Sequence, residues 1–205
     1  MSKGYRSLNQ YFSKNYFLGS YLDFKNLPNL KIPEICFIGR SNVGKSSLIN
    51  KIAKTKKLAK TSKTPGRTQA INLFSINEKI IIADLPGYGF AKLSKNLVNK
   101  LHKLINTYLL KRKNLNRIFL LIDTKVGIKD LDLETLSMLS GSETKIVFIM
   151  TKVDKCSKNW VSIVKEEITN LKKNYSNIYP EIYLTSSIKN EGISEIQKNI
   201  LSLTK

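Results

Sequence analysis

The sequence contains little of what disulfide-bonded, zinc-binding or membrane-spanning proteins are built from. Its two cysteines, Cys36 and Cys156, are far apart and belong to no C-x-x-C pair, and His102 is the single histidine in 205 residues. We therefore expect two reduced, packed cysteines and no metal site made of His and Cys. No apolar run reaches the roughly 18–20 residues of a membrane span, and residues 1–21 contain no secretory h-region. We expect a cytoplasmic protein; an amphipathic targeting peptide is the alternative, because acidic residues are absent before Asp23.

Acidic residues are also scarce: there are 15, against 35 basic residues, and the net charge is +20. Basic residues crowd two acid-free stretches, one with Lys51, Lys54, Lys56, Lys57, Lys60, Lys63 and Arg67, the other with Lys92, Lys95, Lys100, Lys103, Lys111, Arg112, Lys113 and Arg117. Such a field favours a polyanionic partner, either nucleic acid or a ribonucleoprotein. The alternative is a solvated surface in a chain whose composition is biased towards Lys, Asn and Ile.

Apolar runs and helical spacings alternate along the chain. Strands are predicted at 34–39, 71–76, 79–85, 117–123, 145–151 and 181–187, and helices at 47–54, 93–111, 131–139, 160–173 and 192–203. Asn77 and Glu78 favour a hairpin turn between the second and third strands. The pattern indicates an α/β fold with a mostly parallel sheet covered on both faces. We expect one domain, residues 31–205, with residues 1–30 as an N-terminal extension that packs on or flanks it.

A glycine-rich loop follows the first predicted strand and opens a predicted helix. It fits G-x-x-x-x-G-K-[ST] at every position: Gly39, Arg40, Ser41, Asn42, Val43, Gly44, Lys45 and Ser46. Backbone amides of such a loop cradle phosphates, the lysine reaches the β- and γ-phosphates, and the serine hydroxyl ligates magnesium. The loop indicates a bound nucleotide, but it does not distinguish GTP from ATP.

Two further motifs stand at the ends of apolar strands. The first is DLPG: Asp84, Leu85, Pro86 and Gly87. Its carboxylate suits the magnesium shell, and its glycine amide suits the γ-phosphate. The second is TKVD: Thr151, Lys152, Val153 and Asp154. A carboxylate there accepts hydrogen bonds from N1 and the exocyclic amine of guanine, a donor pair that adenine lacks, so Asp154 selects guanine.

Two weaker signals complete the candidate site. Thr185, Ser186 and Ser187 follow the last strand, where a backbone amide suits the guanine O6. Residues 54–68 form a long basic segment with Gly and Pro, typical of a functional loop. One of its threonines, Thr64 or Thr68, is expected to contact magnesium and the γ-phosphate, and spacing does not decide which.

The ordered set GRSNVGKS, TPGRTQAINLF, DLPGYGFA, TKVD and TSS resembles the EngB/YsxC/YihA-type GTPases, in the TrmE-Era-EngA-EngB-septin-like class of P-loop GTPases. The similarity covers roughly residues 15–203, and TPGRTQ and DLPGYGFAK are its specific part. It implies a Ras-like domain with a six-stranded, mostly parallel sheet containing one antiparallel hairpin strand. It also implies magnesium-dependent GTP hydrolysis, a role in assembly of the large ribosomal subunit and a need in normal division and septation. The basic stretches are compatible with ribosomal RNA or the large subunit as partner, and we expect a monomer.

The resemblance also assigns residues. It makes TPGRTQ the switch I motif, with contacts to the nucleotide from Gly66, Arg67, Thr68, Gln69 and Ala70. Its second threonine, Thr68, joins Ser46 as a magnesium ligand, and Thr64 is the runner-up. Lys45, Thr68 and Gly87 are the expected catalytic residues, and GTP or GDP is the bound ligand.

Three positions depart from the general GTPase pattern or add to it. Thr151 stands where most GTPases have Asn, which weakens one expected contact to the phosphate loop. Tyr88 stands where Ras-like enzymes place a water-orienting glutamine, so we expect slow intrinsic turnover. Asn42 occupies a loop position at which related GTPases use potassium, so potassium is a second candidate cation. The functional alternatives are a P-loop ATPase or nucleotide kinase, an RNA-binding module with a secondary nucleotide site, and a septum-associated scaffold.

Overall fold

Seven strands form one sheet in the described parts of the chain, which are residues 8–55, 58–59, 69–89 and 93–204 of the computed structural model. The strands are β1 Asn15–Tyr21, β2 Glu34–Gly39, β3 Ile71–Ile76, β4 Ile80–Asp84, β5 Leu115–Asp123, β6 Lys145–Thr151 and β7 Ile178–Leu184. Their order across the sheet is β1-β3-β4-β2-β5-β6-β7. The α/β class and the mostly parallel sheet are confirmed.

Strand β3 runs antiparallel to both of its neighbours, β1 and β4. The β3–β4 connection is a tight turn in which the Lys79 amide donates to the Ile76 carbonyl oxygen at 3.0 Å. Asn77 and Glu78 have φ angles of 51° and 56°, as a type I′ turn requires of both central residues. The hairpin predicted at these two residues is therefore confirmed.

The sheet has one strand more than the six expected. Strand β1 comes from the N-terminal segment and pairs with β3 along the sheet edge. Tyr16 and Phe17 are each about half exposed, at 49% and 53%, so the strand has no clean alternation of apolar and polar residues. An edge strand in contact with one neighbour needs little apolar patterning, which explains why no strand was predicted there.

Helices cover both faces of the sheet, as expected. They are α1 Leu8–Ser13, α2 Lys45–Ile52, α3 Lys95–Lys111, α4 Asp130–Met138, α5 Lys158–Leu171 and α6 Ile193–Leu201. Because side chains alternate along a strand, Cys36 and Ile38 pack in the layer under α3, α4 and α5, whereas Ile35 and Phe37 pack under α1, α2 and α6. None of the described helices has the length and apolar character needed to cross a membrane.

The last strand starts and ends earlier than the 181–187 predicted. It spans Ile178–Leu184 because its pairing with β6 begins at Ile146 and Ile178. The chain then leaves the sheet, and Ser186 and Glu191 exchange two backbone hydrogen bonds across a small turn, at 3.1 and 3.2 Å. Residues 185–187 are therefore a loop at the strand's carboxyl end.

The five mutually parallel strands end at the same edge of the sheet. They end at Gly39, Asp84, Asp123, Thr151 and Leu184. The motifs singled out in the sequence follow four of these ends. In open α/β sheets, ligands bind outside the carboxyl ends of the strands, and the candidate site lies there.

Candidate nucleotide-binding site

The loop from Gly39 to Ser46 joins β2 to α2, the context that the phosphate-binding pattern requires. Gly44 precedes α2 with a φ of 99°, a left-handed conformation that glycine adopts without strain. No side chain caps this helix start. Uncapped amides at the start of an eight-residue helix favour an anion, so the loop has the structure of a phosphate cradle.

The DLPG segment lies directly against this loop. The Tyr88 amide donates to the Gly39 carbonyl oxygen at 3.2 Å, and the Ser41 amide donates to the Tyr88 carbonyl oxygen at 2.9 Å. The approach is so close that a Cβ at Gly87 would lie 3.1 Å from the Ser41 nitrogen. A Cβ at Gly39 would lie 2.7 Å from the Leu121 carbonyl oxygen. Glycine at position 87 therefore lets the DLPG segment lie against the loop, and glycine at position 39 lets the end of β2 lie against β5.

Lys45, Ser46 and Asp84 converge beneath the loop. The Lys45 ammonium group forms an ion pair with Asp84, and both side chains are almost fully buried. The Ser46 hydroxyl donates to the other Asp84 oxygen at 3.5 Å. A hydroxyl and a carboxylate are the hard oxygen groups that Mg²⁺ prefers, and a buried cation beside them suits phosphate. The donor set therefore fits a magnesium–nucleotide complex.

The remaining loop residues differ in their exposure and in their partners. The Ser41 hydroxyl is buried and has no hydrogen-bond partner among the described residues, which suits a polar ligand because buried polar groups are normally paired. Arg40 lies beside Tyr88 in a short parallel bridge. Asn42 has a φ of 65° and an exposed side chain, and the Val43 amide donates to the Arg40 carbonyl oxygen at 3.1 Å.

Thr151 ties the base-recognition motif to the phosphate loop. Its hydroxyl lies 2.7 Å from the Val43 carbonyl oxygen and 3.2 Å from the Ile122 carbonyl oxygen, and the side chain is buried. The threonine hydroxyl therefore reaches the loop directly, and the expectation that this contact is weaker than that of an asparagine stays a prediction.

Lys152 forms a second bridge to the loop. Its ammonium group donates to the Asn42 carbonyl oxygen at 2.7 Å and pairs with Asp123 at 2.5 Å. Its backbone is left-handed, with a φ of 59°. This conformation is uncommon for residues other than glycine, and residues that adopt it cluster at functional sites. Asp123 was not singled out in the sequence. Its only local signal is an acidic residue at the end of a buried strand.

Asp154 and the loop after β7 are the residues predicted to face the base. Asp154 lies in a 3-10 turn, Val153–Lys155, half-buried, and its carboxylate bonds to no other described residue. The Val153 amide donates to the Thr185 carbonyl oxygen at 3.2 Å, which joins the two motifs. Thr185 and Ser186 are buried and Ser187 is half-buried. The carboxylate is thus free to accept hydrogen bonds beside a loop with ordered backbone.

The switch I candidates are mostly outside the described residues. Gly66, Arg67 and Thr68 fall there, as does the alternative Thr64, so the choice between the two threonines stays a prediction. Gln69 is exposed. Ala70, the residue before β3, is buried.

Tyr88 points away from the phosphate loop. Its ring is almost fully buried, and its hydroxyl donates to Asp132 in α4, whose carboxylate also accepts from the Lys129 amide at 3.0 Å. Burial raises the pKa of the Tyr88 phenol well above its usual value, and the negative charge of Asp132 raises it further. The phenol stays protonated and donates to α4, so it is not available to activate water.

Comparisons with known proteins agree with this geometry. Residues 34–152 match the family model of the 50S ribosome-binding GTPase. The chain is 41% identical over 187 residues to the probable GTP-binding protein EngB of Ruegeria sp. (strain TM1040), covering 91% of this chain and 87% of that protein. It is 42% identical over 190 residues to the same-named protein of Cytophaga hutchinsonii, covering 92% and 95%.

Solved structures give the same result. The crystal structure of a probable GTP-binding protein EngB superposes with a TM-score of 0.65 at 25% identity, covering 83% of this chain and 98% of that one. Era in complex with MgGDPNP and a 16S ribosomal RNA fragment superposes with a TM-score of 0.68 at 24% identity, covering 86% and 58%, which shows the shared fold. The resemblance recognised in the sequence is confirmed: this chain belongs to the EngB-type GTP-binding proteins and is a GTPase of the P-loop class.

Proposed function

We propose that this GTPase is a guanine-specific, magnesium-dependent switch that acts in assembly of the large ribosomal subunit. The observation that carries the proposal is the convergence of the phosphate loop, Asp84 and Asp154 at one edge of the sheet, where Thr151 and Lys152 hold the base-facing and phosphate-facing halves together.

Catalysis in this site is mostly positioning and charge stabilisation. Lys45 and the loop amides bind the β- and γ-phosphates, and the Gly87 amide donates to the γ-phosphate. Ser46 and Thr68 would hold magnesium, with Asp84 nearby, and the bound ion would supply positive charge to the phosphate oxygens. Water attacks the γ-phosphorus in line with the bond to the β–γ bridging oxygen, which leaves with GDP.

Nucleotide titration tests base selection. Fluorescent GDP and GTP are expected to bind in the presence of magnesium, and ATP is not. Asp154→Asn is expected to transfer binding to xanthine nucleotides, because the amide donates where the carboxylate accepted and xanthine offers an acceptor at that position. ATP binding at similar affinity, or guanine binding unchanged in Asp154→Asn, would refute guanine selection and favour the ATPase or nucleotide kinase alternative.

Slow intrinsic turnover follows from the position of Tyr88. Single-turnover hydrolysis is expected to be slow, and Tyr88→Phe is expected to leave it largely unchanged, because the hydroxyl is bonded to Asp132. Fast hydrolysis that Tyr88→Ala abolishes would contradict this.

The same hydrolysis assay in potassium and sodium buffers tests the Asn42 hypothesis. Equal rates in the two buffers would remove potassium as a cofactor.

The ribosomal role is supported by the matched family, described as ribosome-binding, and by the net charge of +20. We expect co-sedimentation with large subunits to be stronger with a non-hydrolysable GTP analogue than with GDP. Protease sensitivity at residues 54–70 is expected to differ between the same two nucleotides. Binding without nucleotide dependence would favour the RNA-binding module with a secondary nucleotide site.

A requirement in division and septation is proposed on the resemblance alone. Depletion is expected to reduce mature large subunits before septa become abnormal. Septation defects that precede any change in the subunit profile would instead favour a direct role at the septum.

A further inference from the structure

The exposed side of α3 carries basic and amide side chains and no acidic ones. Its exposed residues include Lys95, Asn99, Lys100, Lys103, Asn106 and Lys111, which we call the α3 basic face. The opposite side of the helix is apolar and packs on the sheet, so the helix is held with this face towards solvent. At 1.5 Å per residue, the 17-residue helix presents a row about 25 Å long.

The fold keeps the charge of the α3 basic face unneutralised. No acidic residue occurs between Asp84 and Asp123. The guanidinium of Arg112, at the end of the helix, turns inward and binds the buried Glu34 at 2.8 Å. On one side the helix packs against the 3-10 turn Phe24–Asn26, which adds the exposed Lys25, with Asp23 at its start.

On its other side α3 borders a cavity of about 180 Å³ shared with α4. His102 and Asn106 line this cavity from α3, and Glu134 lines it from α4. Glu134 is the acidic residue among those that line the cavity, so the α3 basic face ends at this cavity.

We propose that the α3 basic face is the surface through which this protein binds RNA of the large ribosomal subunit; the inference rests on the proposed function. Lysines in a row neutralise backbone phosphates, which supplies most of the affinity for nucleic acid. The asparagines between them donate to and accept from sugar hydroxyls and base edges. Leu110 is the one large apolar side chain exposed on α3, too little apolar surface for insertion into a lipid bilayer.

The α3 basic face begins close to the nucleotide site in the chain. The helix starts at Lys95, eight residues after Gly87, the proposed γ-phosphate donor.

The test compares two triple variants of equal net charge. Lys95→Gln/Lys100→Gln/Lys103→Gln neutralises the α3 basic face. Lys158→Gln/Lys165→Gln/Lys173→Gln removes three exposed lysines from α5 and the residues after it, on a helix that also carries Glu166 and Glu167. Thermal unfolding and fluorescent GDP binding are measured first, and both variants are expected to match the wild type, because all six side chains are exposed.

Binding of analogue-loaded protein to purified large subunits and to a fluorescein-labelled RNA hairpin is then measured between 50 and 300 mM salt. The α3 variant is expected to bind at least about tenfold more weakly at physiological salt. The slope of its log affinity against log salt concentration is expected to be shallower by about one for each lysine that contacts a phosphate. The α5 variant is expected to remain within about twofold of the wild type, since salt-dependent affinity follows phosphate contacts.

Equal losses in the two variants, or none in the α3 variant, would overturn the inference while wild-type binding to subunits leaves the proposed function intact. An α3 variant that loses binding to anionic lipid vesicles but keeps RNA binding would also overturn it. A wild-type protein that binds guanine nucleotide but no subunit would refute the ribosomal role itself.

Discussion

At the scale of single residues, buried charges are each held by specific partners. Glu34 is fully buried at the start of β2, where it accepts two hydrogen bonds from Arg112 at 2.8 Å and one from the Tyr108 hydroxyl. Burial raises the pKa of the Tyr108 phenol well above its usual value, and the charge of Glu34 raises it further, so the phenol remains a donor. This cluster fixes the end of α3 to the sheet.

Glu34→Ala is expected to destabilise the protein by about 3–5 kcal/mol, because it leaves the Arg112 guanidinium largely buried without its carboxylate. Urea unfolding followed by circular dichroism measures the change. Glu143→Ala, at an exposed position, is the control and is expected to change stability by less than about 0.5 kcal/mol. Similar effects of the two substitutions would show that the buried pair is not stabilising.

Asp132 gives a pH-dependent prediction. Burial raises its pKa above 3.8, although the hydrogen bond from Tyr88 opposes the shift. The folded carboxyl therefore holds its proton more tightly than the unfolded one, so this residue's contribution to stability is lost as pH rises from about 3.8 through the folded pKa. Relative to Asp132→Asn, the wild type is expected to lose free energy of unfolding across that window. A wild type that gains relative to the variant there would contradict the direction of the shift.

At the scale of elements, the turn between β7 and α6 positions the loop from Thr185 to Ser187, which we propose lies beside guanine. Gly192 has a φ of 71°, and a Cβ there would lie 2.0 Å from the Leu184 carbonyl oxygen. This contact brings the start of α6 against the end of β7, so the loop from Thr185 to Ser187 has little freedom to shift.

Gly192→Ala is expected to cost about 1–3 kcal/mol of stability and to speed dissociation of fluorescent GDP, because the added Cβ displaces the loop beside the base. Gly141→Ala is the matched control: no atom lies within 4 Å of its Cβ. Stopped-flow release and thermal unfolding measure both. Slower GDP release, or unchanged GDP release with lowered stability, would show that this turn does not hold the loop in place for base binding.

At the scale of the whole molecule, the N-terminal segment completes the fold. Strand β1 covers the free edge of β3, and Phe12 of α1 is fully buried in the layer with α2 and α6. The rings of Phe17 and Phe74 pack across the β1–β3 pair with their centroids 5.7 Å apart. Residues 8–21 therefore contribute both core and edge protection.

Deletion of residues 1–21 is expected to lower thermal stability and to promote association, because the backbone of β3 loses its strand partner. Deletion of residues 1–7 alone, which leaves α1 and β1 in place, is the control. Size-exclusion chromatography with light scattering measures the outcome. A monodisperse long deletion with the melting temperature of the control would show that β1 is dispensable.

Most of the candidate site was predictable because each motif lies within a few residues of a strand end. Parallel pairing then brings Gly39, Asp84 and Thr151 to one edge, so the order of motifs in the chain was enough to anticipate their meeting. The antiparallel hairpin was predictable for a different reason: Asn77 and Glu78 form the turn through local backbone preferences.

Contacts between residues distant in sequence were decided only by the tertiary structure. The pairing of β1 with β3, the bond from Tyr88 to Asp132, and the ion pair between Lys152 and Asp123 depend on how layers pack. The sequence by itself determined the phosphate-loop motif, the TKVD motif and the excess of positive charge, because these follow from residue type and spacing. The direction of each side chain, including the lysines of the α3 basic face, was decided by packing against the sheet, because that selects which side of a helix meets solvent.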